Sequence, residues 1–425
     1  MKKILKIPII FILAVFAQAV LRRYKPRIVM ISGSVGKTST KDAVAAALSM
    51  RFYVRKSEKS FNSEFGVPFT ILGVGNPWND PFAWFSIFKS ALGLLILPNH
   101  YPTMLVLEIG ADRPGDLARI LRYATPDAVV ITRLADIPVH VEAYVSPEQV
   151  HEEEFSPAYA LEVSAPLIIP SDDVWVCAAA KRLPVRTFGY GRSTSGTIQI
   201  SDTDFHIGVE GEVDGMQAKI SMQDARTHYV VKDSVGETQM LPIAAAIATA
   251  HAFGIPLPET LTALEGYEAP AGRGRLLKGK NNSIIIDDSY NSSPAAVEEA
   301  LSTLKSFPNA KRRIAVLGDM LELGRFSVPE HERMAIRVAE SADMIVTVGI
   351  RARTFAIASK HIKLLQFDTA YAAAEALADL IEEKDVILVK GSQSIRTERI
   401  VEALLADPSD VLKLVRQEKK WKQKL

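Results

Sequence analysis

The chain has 425 residues, which at about 150 residues per domain is room for two or three domains. Hydrophobic residues at 48% and charged residues at 23% exclude wholesale disorder, and a net charge of +1 removes nucleic acid from the expected partners. A single cysteine, Cys177, excludes an internal disulfide and fits a reducing compartment.

Residues 7–17 (IPIIFILAVFA) are uncharged, and the run reaches about 15 residues when extended to Leu21, short of the ~20 that a spanning helix needs. Lys2, Lys3 and Lys6 precede it while Arg22, Arg23 and Lys25 follow, so charge does not choose an orientation. The segment Ala17-Gln18-Ala19 faintly resembles a signal cleavage site, but a nucleotide motif follows at once, which places the chain in the cytoplasm. A helix packed on the body is the plainest reading. Contact of residues 4–21 with a membrane surface, at the inner face of the plasma membrane, and a true span are the alternatives.

Residues 27–32 (RIVMIS), a glycine turn and residues 38–50 read as strand, loop and helix. Residues 81–97 (PFAWFSIFKSALGLLIL) read either as a core helix or as an apolar surface patch near the N-terminal run. Buried strands are predicted at 104–107 and 128–132, around a helix at 114–123, which argues for a parallel sheet covered by helices. Residues 198–231 alternate as antiparallel strands do. An Ala-rich helix at 241–253 stops at Gly254, and residues 270–274 (PAGRG) have linker composition. Strands predicted at 283–286, 313–317, 344–348, 363–367 and 386–389, each separated by helical sequence, make a second, doubly wound sheet. The basic tail 416–425 reads as a frayed helix end.

Gly33-Ser34-Val35-Gly36-Lys37-Thr38-Ser39 lies between the first strand and its helix. Glycines let backbone N–H groups curl around phosphate oxygens, and the helix N-terminus adds its dipole. Lys37 would reach the terminal phosphates and the Thr38 hydroxyl would hold Mg²⁺, although the strict G-x-x-x-x-G-K-[ST] pattern fails at Ile31. Glu108 ends the apolar strand, placed for Mg²⁺ or simply a surface glutamate. His140, in VHVE, is a metal ligand or a loop histidine. The run Glu152-Glu153-Glu154 would ordinarily be a solvated helix face. DDSYN at 287–291, GDMLELG at 318–324 and KGS at 390–392 all follow strands at one edge of the second sheet, where such sheets bind ligands.

Together, GSVGKTST (33–40), FNSEFGVP (61–68), LVLEIGADRPGDL (105–117), VHVE (139–142), GRGR (272–275), DDSYNSSP (287–294), AVLGDMLELG (315–324) and VKGS (389–392) resemble the Mur ligase family, the ATP-dependent amide-bond ligases of peptidoglycan precursor synthesis. DDSYN…P and LGDMLELG point to the member that adds D-alanyl-D-alanine. The resemblance implies an α/β fold: a central P-loop ATPase-type parallel-sheet domain over 27–271, preceded by an apolar helix over 1–26 and followed by a Rossmann-like doubly wound domain over 272–425. It implies ATP and Mg²⁺ as cofactors, and as partners a muramyl-peptide carboxylate and a D-Ala-D-Ala-type amine, joined through an acyl phosphate. Lys37, Asn62, His140 and Glu154 would be catalytic. Gly33 to Ser39, Arg275, Asp288 and Asn291 would bind ATP. Thr38, Glu108, His140 and Glu154 would hold metal, and Asp319, Glu322, Lys390 and Ser392 would bind substrate.

Two departures stand out. The family carries an N-terminal UDP-sugar-binding domain of roughly 80 or more residues, whereas 32 residues precede Gly33 here, so the resemblance leaves three expectations for UDP recognition: loss, replacement, or supply by another chain. The family also places a carbamylated lysine after the His-x-Glu loop; this sequence has no lysine between Lys89 and Lys181, and the position falls on Glu154, with Glu153 as the register alternative. Two other functions compete: an amide ligase or amidase subunit acting on another, lipid-linked carboxylate, and a nucleotide-binding module without catalysis.

Overall fold

The computed structural model describes residues 3–58, 60–77, 80–358 and 361–422; Lys2 and the last three residues of the basic tail lie outside the described residues. Helix α1 (Lys3–Tyr24) leads into β1 (Arg27–Ser32), α2 (Lys37–Leu48) and β2 (Val54–Lys56). There follow α3 (Gly66–Leu72), α4 (Pro81–Ile96), β3 (Met104–Glu108), α5 (Asp116–Leu121), β4 (Ala128–Ile131) and α6 (Pro147–Phe155). Then come β5 (Pro166–Pro170), α7 (Val174–Ala180), β6 (Arg186–Gly191), β7 (Ile198–Ile207), β8 (Val213–Met222) and β9 (Ala225–Lys232), before α8 (Met240–Ala252) and α9 (Leu257–Leu264).

These strands form one sheet in the order β2-β3-β1-β4-β5-β6-β7-β8-β9, parallel as far as β7 and antiparallel from β7 to β9. The antiparallel strands predicted at 198–231 therefore extend the parallel sheet. Strand β1 is apolar on both faces, as a sheet covered on both sides requires. Ile28 and Met30 join the core beneath α1, α3 and α4, while Val29 and Ile31 join the core with α2 and α8. β1 lies between β3 and β4, where the strand order reverses, so its C-terminal end opens into a crevice.

The second unit starts at β10 (Arg275–Gly279) and β11 (Ser283–Asp288), followed by α10 (Pro294–Ser306), β12 (Arg312–Gly318), α11 (Ser327–Ser341), β13 (Met344–Val348) and β14 (Lys363–Phe367). It ends with α12 (Ala370–Ala378), β15 (Asp385–Lys390) and α13 (Glu398–Leu404). The order is β10-β11-β15-β12-β13-β14, parallel except for the β10 edge. Ile314 and Val316 of β12 face one core and Ala315 and Leu317 the other.

α1 packs on the body, as the plainest reading had it: Leu13, Ala17 and Val20 are buried against α3 and α4. Among the described residues no helix is long and apolar enough to cross a membrane. α4 fits neither reading alone, because Ile87, Ala91 and Leu94 are buried while Phe82, Phe85 and Ile96 are exposed. The expected frayed tail is a correction. Arg416 is buried and donates to the Ser289 carbonyl (3.2 Å), the Tyr290 carbonyl and the Glu398 carboxylate (2.9 Å), so the tail straps the loop after β11.

Candidate active site

The site grows from the end of β1. Gly33 has φ +125°, and a Cβ there would lie 2.3 Å from Thr132 Oγ1, so only glycine lets the chain turn. Gly36, at φ 87°, caps α2 and leaves its first N–H groups without a side-chain partner, as a phosphate-binding loop needs. Ser34 N and Val35 N donate to the Arg133 carbonyl (3.0 and 3.2 Å), and the Arg133 side chain pairs with Glu299 of α10. The loop is thereby tied to the second unit.

Lys37 folds back to the Gly33 carbonyl and lies 3.6 Å from Glu154 Oε1. Glu154 Oε2 accepts from the Ser32 hydroxyl (2.6 Å) and from Gly33 N (3.0 Å). The solvated-face reading of the acidic run therefore fails at Glu154, which is buried at the root of the loop. The neighbouring Glu153 points elsewhere: its two oxygens accept from Gly115 N and Leu117 N, both at 3.0 Å, at the start of α5. Of the two, Glu154 is the one whose carboxylate faces the loop.

Glu108 is buried and has no hydrogen-bond partner for Oε2 among the described residues, while Oε1 accepts from the Thr38 hydroxyl at 3.2 Å and Asn62 Nδ2 at 3.5 Å. Burial pushes its carboxyl up, and Lys41 and Lys37 oppose that shift. A bare carboxylate oxygen beside a phosphate-loop hydroxyl is the hard donor set that Mg²⁺ takes. The remaining expected metal residues are not gathered with it: among the described residues no three His, Cys, Asp or Glu side chains converge on one point. His140 and Glu154 line a second pocket with Ser34, Lys37, Asn62 and Asp112. In it His140 Nε2 lies 3.5 Å from Asp112 Oδ1, and Nδ1 lies 3.3 Å from Glu322 Oε2 across the unit boundary.

The first pocket lies on the other side of the loop. Val35, Gly36 and Ser39 face Asp288, Ala296, Glu299 and Lys390 there, with Thr238, Gln239, Pro242 and Arg273. Lys390 Nζ donates to Asp288 Oδ2 (2.6 Å) and to the Asn291 carbonyl (3.0 Å). Asp287 is fully buried on its own Ser289, and burial pushes it up to about 6, while Asp288, paired with Lys390, is the one of the two that lines the pocket.

Several expected residues are placed differently. Arg275 sits on β10 beside Glu268 (3.3 Å) and does not line the pocket, whereas Arg273, missed by the sequence reading, does. The Arg273 guanidinium lies 4.1 Å over the Tyr290 ring. Asn291 contributes its carbonyl to Lys390. Asp319 Oδ1 accepts from Ala352 N (2.8 Å) and Ser392 Oγ from Leu321 N (2.9 Å), so both carboxylate and hydroxyl serve to join loops. Gln239 and Thr238 were also missed; polar residues just before an Ala-rich helix were the available signal.

Tyr290 bridges the two units in a way no motif announced. Its hydroxyl donates to Ser60 Oγ (2.6 Å), which lies 3.1 Å from Thr38 Oγ1, which in turn donates to Glu108. Tyr290→Phe removes the first link of that chain, an interaction worth about 1 kcal/mol. It is expected to raise the Mg²⁺ concentration giving half-maximal ADP release by roughly fivefold. An unchanged Mg²⁺ titration would leave Tyr290 only a packing role.

A phosphate loop on one sheet, facing an acid–lysine pair at the strand ends of a second doubly wound sheet, defines a nucleotide-binding α/β protein with its cleft between two sheets. Residues 272–393 match the Mur ligase glutamate ligase domain. The UDP-N-acetylmuramoyl-tripeptide–D-alanyl-D-alanine ligase of Bacillus subtilis is 28% identical over 408 residues, covering 92% of this chain and 79% of that enzyme. The Escherichia coli enzyme of the same name is 26% identical, over 89% of this chain and 76% of its own length. The crystal structure of the MurF ligase of Thermotoga maritima in complex with ADP gives a TM-score of 0.76 at 25% identity, covering 95% of this chain and 84% of that one. Residues 272–393 therefore carry a Mur ligase domain, and over most of its length the chain is similar to ligases of the MurF type.

Proposed function

We propose that the chain joins a D-alanyl-D-alanine amine to the terminal carboxylate of a UDP-N-acetylmuramoyl tripeptide, with ATP converted to ADP and phosphate. One observation carries the reading: Val35, Gly36 and Ser39 of the loop line the nucleotide cleft, while Ser34 and Lys37 of the same loop line the pocket with Asn62, His140 and Glu154. Nucleotide phosphates on the loop would present the terminal phosphoryl group to a carboxylate in the second pocket.

A carboxylate oxygen attacks that phosphorus, the bond to the bridging oxygen of ADP breaks, and an acyl phosphate forms. The amine nitrogen then attacks the acyl carbon, the carbon–oxygen bond to phosphate breaks, and the nitrogen sheds its proton as the amide forms. Lys37 and the loop N–H groups neutralise and orient the phosphates. Thr38 and Glu108 would hold Mg²⁺, which supplies charge neutralisation at the phosphate oxygens. Asp112 and Glu322, either side of His140, give the second pocket an anionic rim that suits an incoming ammonium group. Residues 27–271 supply the loop and residues 272–425 the covering surface.

The test is mass spectrometry of the products formed from ATP, Mg²⁺, UDP-N-acetylmuramoyl tripeptide and D-Ala-D-Ala. A condensed product appearing with one ADP per bond is expected. ADP release only with some other carboxylate or amine would overturn the substrate assignment.

A further inference from the structure

We propose that α1 and α4 together form a docking face for an anionic lipid bilayer, on which the protein sits peripherally. The two helices lie side by side and run parallel. Phe16 and Phe88 are 6.1 Å apart between ring centroids, Tyr24 Oη donates to the Leu94 carbonyl, and Arg23 donates to the Leu95 carbonyl, both at 2.7 Å. The inward stripes, Leu13-Ala17-Val20 and Ile87-Ala91-Leu94, are buried in the same core. The opposite stripes therefore point outward from one surface.

Those outward stripes are apolar. Phe82 is 86% exposed, Phe85 70%, Ile96 70% and Phe11 68%, with Val15 and Leu92 also exposed. They recur every three to four residues, the spacing of one helix face. Isolated surface apolar residues need no explanation, but a contiguous two-helix patch marks an interaction site.

Charge decides the occupant. No Asp or Glu occurs before Asp42, and none between Asp80 and Glu108. The Asp80 carboxylate itself is turned in to cap α4, accepting from Phe82 N (2.9 Å) and Ala83 N (3.4 Å). Exposed Arg22 and Lys25 stand at the end of α1, and exposed Lys89 lies within the α4 stripe. Aromatic and aliphatic side chains with cations and no anions are what the boundary between headgroups and acyl chains accepts. A second copy would set this face against itself, bringing like charges together. This inference goes beyond the ligase reading and does not rest on it, because vesicle binding is measured without substrates.

The experiment is flotation of the full chain with vesicles of phosphatidylcholine alone, or of equal parts phosphatidylcholine and phosphatidylglycerol. Binding to the anionic vesicles alone is expected, and it should weaken as salt rises from about 0.1 to about 1 M. The double variant Phe82→Ser/Phe85→Ser should bind roughly tenfold or more weakly, and Arg22→Glu/Lys89→Glu should lose the preference for anionic lipid. These side chains are exposed, and an unchanged melting temperature checks that the variants fold. Failure to float with anionic vesicles, or flotation indifferent to both variants, overturns the proposal. A dimer in solution that the Phe82/Phe85 variant dissociates would assign the face to a second copy and overturn it equally.

Discussion

Lys37→Ala is expected to lower ADP release and ligation by about 10³-fold or more, the scale of removing an electrostatic contact to a transferring group. The lysine lines the pocket with Asn62, His140 and Glu154, and its ammonium reaches the Gly33 carbonyl and the Glu154 carboxylate. Its loss takes away the one ammonium on the loop, so the phosphates lose their nearest mobile countercharge. The fold should be little affected. Glu154 keeps its two stronger partners, Ser32 and Gly33, and no apolar core side chain is disturbed. Thermal unfolding should therefore stay within a few degrees of the parent, since about 1 kcal/mol shifts a domain of this size by only that much. A folded variant with near-normal turnover would remove the phosphate-loop assignment, and an unfolded one would show instead that the lysine holds the loop.

Much of this site was legible because its residues sit at strand ends. RIVMIS followed by glycines, LVLE and SIII each announce a buried strand that must stop at a polar group. Two parallel sheets then bring such ends to one edge each. What the sequence did not disclose depends on side-chain direction and on spent hydrogen bonds. Arg273 and Arg275 are two residues apart in GRGR, yet one precedes β10 and faces the nucleotide cleft, while the other lies on β10 beside Glu268. Asp319 and Ser392 look like open polar residues in their motifs, but their carboxylate and hydroxyl are taken by backbone N–H groups. Strands β2, β5 and β6 were missed because they are short or carry proline, glycine and charge, so periodicity does not mark them. The Tyr290–Ser60–Thr38 contact joins residues far apart in the chain, and no local pattern encodes it. The fate of the tail was missed for the same reason: Arg416 is a basic residue in a basic run until the fold buries it against Glu398.

Glu154 carries the remaining prediction. The resemblance to the Mur ligases places a carbamylated lysine at this position, and the structure puts the Glu154 carboxylate at the root of the phosphate loop with Oε1 toward Lys37. A carboxylate bears the same single negative charge as a carbamate on a shorter arm, and it needs no CO₂. Glu154→Gln keeps the shape, but an amide has only one acceptor oxygen. If that oxygen stays on Ser32 and Gly33, the NH₂ group faces the Lys37 ammonium; if it flips, a donor meets the Gly33 N–H. Either arrangement removes the charge that balances Lys37 and the metal-neutralised phosphates. Turnover should fall by roughly 10²-fold or more, and wild-type activity should be indifferent to added or removed bicarbonate. Glu153→Gln is the matched control. It weakens two hydrogen bonds at the start of α5, which should cost about 1 kcal/mol of stability and leave turnover near the parent. Severe loss of turnover in Glu153→Gln with a near-normal Glu154→Gln would reverse the two roles. Stimulation of the wild type by bicarbonate would mean that a carbamate, and not Glu154, completes the site.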